Sequence, residues 1–389
     1  MRIAHLAFDQ KFIPLAQEAF EEAFPGDNAW YLLHADGQPF QFARPDPRGA
    51  VVDRRGLLSP EILNSLNRHP LLVVHAMIPE FAEVVRRVSR DPVVLWFGWG
   101  FEYYDFLEPY FGEIVLPDTA VAWRKARAAE ERVGGFGRWL SPARRAYHAL
   151  KGLVAGRRTT IQSIADRIDL CSVSPSEMPL LERAFPGFRA RHYQLHYFSK
   201  EDTLDRGPAR MEGPDILLGN SATGENNHVE ALSLLRRMPL ENRRILAPLN
   251  YGSALYADEI CRLGTQLFGP RFVPLREFLP LDEYHELLAT CGTVIMNHRR
   301  QAAMGNISAA LYKGARVVLR AENPIFQTYR GLGAALDAMH DIEDTPAAAL
   351  VPLSEAQRTR NRELVGNYLG RPALVEAIRG LEAFCRQRG

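Results

Sequence analysis

The sequence predicts an α/β chain of two domains, each a parallel sheet covered by helices. Three observations predict it. Short apolar runs alternate with amphipathic stretches along the 389 residues, as βα units require. The length exceeds one typical domain and suits two or three. A polar stretch from Ser199 to Pro214, carrying Gly207, Pro208 and Gly213, interrupts the alternation and reads as a linker. The expected division is 1–198, a linker at 199–214, then 215–353, and a C-terminal helical segment over 354–389.

The elements follow in order. Arg2 to Phe8 opens as a strand, and Phe12 to Phe24 is a helix stopped by Pro25-Gly26. Trp30–Leu33 is a strand, and Leu71–His75 is an apolar run fit for a strand buried on both faces. Helix Pro79–Ser89, strand Val93–Phe97 and strand Ile168–Val173 complete the first half. The second half repeats the pattern with strands at Ile216–Leu218, Arg244–Ala247, Phe272–Leu275, Thr293–Met296 and Arg316–Leu319. Helices fit between them at Asn227–Arg237, Tyr256–Leu263, Leu281–Thr290 and Asn306–Lys313, the last closed by Gly314.

Parallel sheets place ligands beyond the carboxyl ends of their strands. Four loops should therefore converge: Gly219-Asn220-Ser221, Pro248 to Gly252, Asn297 to Gln301, and Glu322-Asn323-Pro324. The first runs from an apolar strand through a glycine into a helix, a geometry that offers backbone N–H groups to a phosphate. Asn227 with Glu230 three residues on reads as a capping box for that helix.

Composition narrows the class. The chain is 47% hydrophobic and 24% charged with net charge +1, so it lacks the basic excess of a nucleic-acid binder. Four cysteines lie far apart without a C-x-x-C pair, which argues against a zinc cluster and fits a reducing compartment. The N-terminus does not read as a signal peptide, and no run of about 18 apolar residues is present to span a membrane. One segment breaks the charge balance. Trp123 to Arg158 holds ten Lys/Arg against Glu130 and Glu131. Arg138, Trp139, Arg144, Arg145, Tyr147 and Lys151 interleave cations with aromatics there, as a helix lying on an anionic membrane surface would.

Several blocks together resemble glycosyltransferase family 56, the 4-alpha-L-fucosyltransferase family that includes TDP-N-acetylfucosamine:lipid II transfer. They are Asp215 to Leu232, Pro248 with Tyr251, Arg300-Gln301 with Gly305, and Glu322-Asn323-Pro324. Trp96 to Tyr103, His75 and Phe185-Pro186-Gly187 extend the likeness into the first half. The resemblance implies the GT-B fold, two Rossmann-like domains facing across a cleft with the nucleotide on the second. It implies inverting transfer from a nucleotide-sugar, dTDP-linked, to a polyprenyl-diphosphate-linked saccharide at the cytoplasmic face of a bacterial inner membrane. The donor-binding residues would be Gly219, Asn220, Ser221, Asn226, His228, Pro248, Tyr251, Arg299, Arg300, Gln301, Gly305, Asn306, Glu322 and Asn323.

The residues themselves add a mechanism. No Asp-x-Asp occurs, so no cofactor or metal is expected, and the leaving diphosphate must be met by helix N-termini and arginines. Arg299 and Arg300 are placed for this, and Gly305 admits close approach. Glu322 is a candidate for the ribose or sugar hydroxyls. The loop departs from the family at Ala302-Ala303-Met304, which leaves the donor sugar open. Inversion needs a base on the first domain. Glu102, crowded by Trp96, Trp99, Phe101, Tyr103 and Tyr104, is the first candidate, with Asp9 and His75 as rivals. A sugar-nucleotide epimerase of the same architecture and a non-catalytic two-domain sugar-binding protein remain alternatives.

Overall fold

The computed structural model describes residues 1–34, 39–133 and 161–388. Its elements begin β1 (Ile3–Phe8), α1 (Ile13–Ala23), β2 (Asn28–Leu33), β3 (Ala50–Val52), α2 (Pro60–Leu66), β4 (Leu71–His75), α3 (Pro79–Arg87), β5 (Val93–Phe97), α4 (Tyr104–Phe111) and α5 (Pro117–Val133). They continue β6 (Leu170–Ser172), α6 (Met178–Ala184), β7 (Arg191–His192), α7 (Lys200–Thr203), β8 (Asp215–Leu218) and α8 (His228–Leu235). Next come β9 (Ile245–Pro248), α9 (Ala254–Phe268), β10 (Phe272–Leu275), α10 (Leu281–Ala289), β11 (Cys291–Met296) and α11 (Met304–Tyr312). The chain closes with β12 (Arg316–Leu319), α12 (Pro324–Leu332), β13 (Asp337–Ala338), α13 (Met339–Glu343), α14 (Glu355–Tyr368) and α15 (Arg371–Arg388).

Two compact units result. Met1–Phe111, the stretch ending at Asp202 and the chain from Leu369 form the first; the stretch beginning at Gly112 and Thr203–Tyr368 form the second. The first holds a seven-stranded sheet in the order β3-β2-β1-β4-β5-β6-β7, the second a six-stranded sheet in the order β10-β9-β8-β11-β12-β13. Strand pairs in both are parallel. Each unit winds outward from its first strand, then crosses back, so the order reverses between β1 and β4 and between β8 and β11. Crevices at such reversals hold ligands in open α/β sheets.

Burial explains the runs. Leu71–His75 and Val93–Phe97 are buried along their whole length, as central parallel strands covered on both faces must be. In the first unit Phe20, Ala16 and Trp30 pack with Leu374, Val375, Ile378 and Leu381 of α15.

The structure corrects the domain plan in two places. The expected C-terminal segment is two helices, and the second, α15, belongs to the first unit. The basic stretch starting at Trp123 was expected on the first domain. Its described start lies in α5, which is built into the second unit, where Ala122, Ala126 and Trp123 join the core of Leu232, Tyr256 and Ile260. The strands Ala50–Val52, Arg191–His192 and Asp337–Ala338 are too short to leave a run in the sequence. Among the described residues no helix is long and apolar enough to cross a membrane.

Candidate functional site

The loop after β8 is built from the inside. Gly219 has φ +66°, and a Cβ there would stand 2.7 Å from Asn226 Oδ1 and 2.9 Å from His228 Nε2, so only glycine fits the turn. The Asn226 amide is consumed within the loop. Its Oδ1 accepts from Asn220 N (2.8 Å), and its Nδ2 donates to Ser221 Oγ and Thr223 Oγ1 (3.0 Å each). His228, the first residue of α8, is buried and bonded to the Tyr256 hydroxyl (3.2 Å). Burial pushes its pKa down to about 3, so it is a neutral packing and hydrogen-bonding group behind the loop.

The capping box forms with a different partner. Asn227 is left-handed (φ +50°) and its side chain makes no cap bond. Its amide instead donates to Asn297 O (2.9 Å) and Ile114 O (3.2 Å) and accepts from Leu116 N (2.8 Å). Thr119 of α5 takes over the cap. Its Oγ1 accepts from Val229 N (3.1 Å), while Glu230 accepts from Thr119 N (2.9 Å) and Oγ1 (2.5 Å). The start of α8, where the sequence places a phosphate, is thus already occupied by protein.

The N-terminus of α11 is different. Ala303 precedes it at φ +57° with no side-chain cap, and nothing lies within 4 Å of a Cβ built on Gly305. Gly305 is exposed, so the first turn of α11 is open at that position, and an uncapped helix start is the kind of place that can receive an anion. The residues leading into it are tied down. Asn323 caps α12 through Ile325 N (2.8 Å) while its Nδ2 holds the carbonyls of His298 (2.9 Å) and Arg300 (2.8 Å). His298 Nε2 meets Asn220 Oδ1 at 3.0 Å, bridging the ends of β8 and β11 at the reversal of strand order. Burial, helped by the Arg300 charge, holds the His298 pKa near 3.

Arginines gather at the same strand ends. Arg300 pairs with Glu225 and donates to Gln301 O (2.8 Å). Arg299 Nε (2.9 Å) and Arg320 Nε (2.7 Å) share Glu322 Oε1. Burial would raise the Glu322 pKa, but Arg320 and Arg299 outweigh it and hold the carboxyl below its usual range. Among the described residues, three guanidinium groups meet two carboxylates here.

Residues 190–336 match the family described as 4-alpha-L-fucosyltransferase, glycosyl transferase group 56. The whole chain is similar to sucrose-phosphate synthase from Thermosynechococcus elongatus (TM-score 0.62, 12% identity, 100% of this chain and 99% of that one). It is similar to the Anabaena protein HepE in complex with UDP-glucose (TM-score 0.58, 12% identity, 98% and 99%). It also resembles the UDP-forming alpha,alpha-trehalose-phosphate synthase of Burkholderia vietnamiensis (TM-score 0.60, 12% identity, 100% of each). These neighbours share the GT-B fold. The chain is a GT-B glycosyltransferase.

In this glycosyltransferase the predicted donor residues divide. Gly219, Asn220, Arg299, Arg300, Gln301, Gly305, Glu322 and Asn323 lie at the carboxyl ends of β8, β11 and β12 or the start of α11. Ser221, Asn226 and His228 support the first loop from within. Pro248 ends β9 opposite Leu275. Tyr251 is exposed, and its carbonyl accepts from Ala222 N (2.6 Å). Asn306 turns to the Tyr284 hydroxyl (3.2 Å) in α10. Arg138, Trp139, Arg144, Arg145, Tyr147 and Lys151 lie outside the described residues.

The three base candidates separate on the first unit. Asp9 accepts from the backbone N–H of Gln41 (2.6 Å), Phe42 (2.9 Å) and Ala43 (2.8 Å), so its carboxylate organises a loop. His75 is buried between His5 (3.2 Å) and the Tyr197 hydroxyl (2.9 Å), and burial holds its pKa well below the usual value. Glu102 is buried; its Oε1 accepts from Trp99 N (2.9 Å) and Trp96 Nε1 (3.2 Å), and its Oε2 has no hydrogen-bond partner among the described residues. Burial raises its pKa to about 7 against the pull of those donors. Of the three, Glu102 combines a near-neutral pKa with an uncommitted oxygen.

The sequence reading missed Thr119, Glu225, Arg320 and Glu177. Glu177 is buried, accepts from the hydroxyls of Tyr103 (3.2 Å) and Tyr104, and is raised to about 7, chiefly by burial. Arg320 follows a predicted strand and was within reach of the strand-end rule. Thr119 left no signal, because its partners lie 110 and 111 residues away.

Proposed function

We propose that this enzyme transfers a deoxy or acetamido sugar, with inversion and without a metal, from a nucleoside diphosphate to a polyprenyl-diphosphate-linked glycan. The open N-terminus of α11 beside Arg300 carries the reading. A departing diphosphate gains negative charge, and helix N–H groups with a guanidinium stabilise it as it forms. Glu102 removes the acceptor hydroxyl proton, for which a pKa near 7 is suited. The matched family's description favours a fucose-like donor, and the family resemblance favours dTDP as its carrier. The acceptor's lipid places the work at the cytoplasmic face of an inner membrane, with the basic aromatic stretch around Trp139 and Arg144 as the anionic-lipid contact.

Thermal-shift titration with dTDP, UDP and GDP tests the donor half. A ligand that binds only the folded state raises the melting temperature. The expected order puts dTDP first, and no shift with any of the three would overturn the donor site. Flotation with anionic vesicles tests the membrane half: the protein should float at low salt and less so at high salt. Failure to float at low salt would remove the lipid-linked acceptor's support.

A further inference from the structure

We infer that Thr119 is a positioning residue for donor binding, acting as a helix cap supplied from a distant part of the chain. This rests on the nucleotide-donor reading above. Helix α8 begins at a residue whose own side chain cannot cap it, since Asn227 is left-handed and its amide is committed to Ile114, Asn297 and Leu116. Thr119 fills that role. Its hydroxyl accepts from the second helical N–H, Val229, and the third helical residue, Glu230, accepts from the Thr119 N–H. This is the reciprocal pattern of a capping box, with cap and helix on separate segments.

The same segment touches three of the four donor-side loops of the second unit. Glu113 O accepts from Arg299 Nη1 (2.7 Å) in the loop after β11. Trp123 lies against Gly224, where a Cβ would stand 2.9 Å from its ring, and meets Tyr256 edge-on at 5.2 Å. Glu130 Oε1 accepts from Ser253 Oγ (2.7 Å) at the start of α9. Residues 113–130 therefore register three loops against one another, and Thr119 is the polar centre of that registration. Loosening it lets the Gly219–Asn226 turn sample conformations from which a nucleotide must recover it, so affinity falls before chemistry does.

Calorimetry of the full chain with dTDP and UDP, together with amide exchange, decides. Thr119→Val keeps the shape and removes the hydroxyl. It should weaken nucleotide binding about 2- to 30-fold, the range a lost cap corresponds to, raise KM for the donor and leave kcat near native. Thr119→Ser should restore binding, and Glu230→Ala combined with Thr119→Val should be no weaker than the worse single variant, as for one shared interaction. A lowered melting temperature with unchanged nucleotide affinity in Thr119→Val would overturn the inference, and so would full additivity. If Thr119→Val does not fold, Thr119→Ser and Glu230→Gln carry the same comparison. If the native protein binds neither nucleotide, the donor reading fails separately and exchange alone judges the cap. Faster exchange of the Val229 amide in the Thr119 variant supports it, and equal exchange overturns it.

Discussion

At the scale of single residues, environment rather than identity sorts the candidates. Asp9, His75 and Glu102 all stand at or after the ends of strands of the first unit; three backbone donors, a buried imidazole network and an uncommitted carboxylate oxygen separate them. The partners that commit Asp9 and His75 come from distant parts of the chain, which is why spacing could not rank them against Glu102, whose donors are local. Glu102→Gln should leave nucleotide affinity intact and lower turnover by about 10²–10⁴-fold. The native rate should rise with pH and level off above about 7, because the base acts when deprotonated. A pH profile flat through that range would move the base elsewhere. Arg300→Ala should weaken dTDP or UDP binding by about 1.5–3 kcal/mol, the worth of a hydrogen bond to a charged group; unchanged calorimetric affinity would remove Arg300 from the site. Burial also fixes the sign of the stability profile. His5, His228 and His298 are held to about 3, so each contributes stability above its ordinary value of 6.5 that is lost as pH falls toward 3. Glu102 and Glu177 run the other way: their raised pKa values make stability fall as pH rises from about 4.5 to about 7. Denaturant melts of Glu177→Gln should therefore lose stability less steeply across that window than the native protein.

At the scale of elements, the strands were legible because buried parallel strands are nearly pure apolar runs, as β4 and β5 are. A helix start is open to sequence reading only where the cap is local. Ser253 caps α9 through Tyr256 N (3.1 Å), so that helix begins at Ala254, ahead of the start expected at Tyr256. The acid of the α8 capping box was identified correctly as Glu230, but its partner was not, because Thr119 stands far upstream. The candidate phosphate site moved with it, from the start of α8 to the start of α11. Loop registration at this scale depends on Gly252, which has φ +114° and whose added Cβ would stand 2.3 Å from Ala222 O. Gly252→Ala should cost about 1–3 kcal/mol of backbone strain alone. It should also separate Ala222 from the Tyr251 and Ser253 backbone bonds (2.6 and 2.9 Å). The prediction is a lowered melting temperature with weaker nucleotide binding. A variant with native values of both would show that the two loops are independent.

At the scale of the molecule, the α/β class and the two-unit plan were readable from alternation, whereas the exchange of helices between segments was not. Helix α5, from the first half of the sequence, completes the second unit, and α15, from the end, completes the first. Amphipathic helices announce that they will bury a face but not against what. A fragment from Met211 to Gly389 therefore lacks Ala122, Trp123 and Ala126 of its own core and carries α15 without Phe20 and Trp30 to cover it. Such a fragment should melt non-cooperatively and bind nucleotide poorly unless a peptide spanning residues 112–133 is added. Native-like melting of the bare fragment would show that α5 is dispensable. The remote cap on α8 also bears on how the chain is made. At about 5–20 residues per second, Thr119 leaves the ribosome several seconds before Val229 and Glu230 exist. Through that interval the apolar side of α5 has no partner from its own unit. The first unit waits longer still, because α15 follows the whole of the second unit in the chain while the strands it covers precede it. The second unit has all its segments once Tyr368 is made, whereas the first still lacks α15, so the half of the chain begun later is the one able to close first.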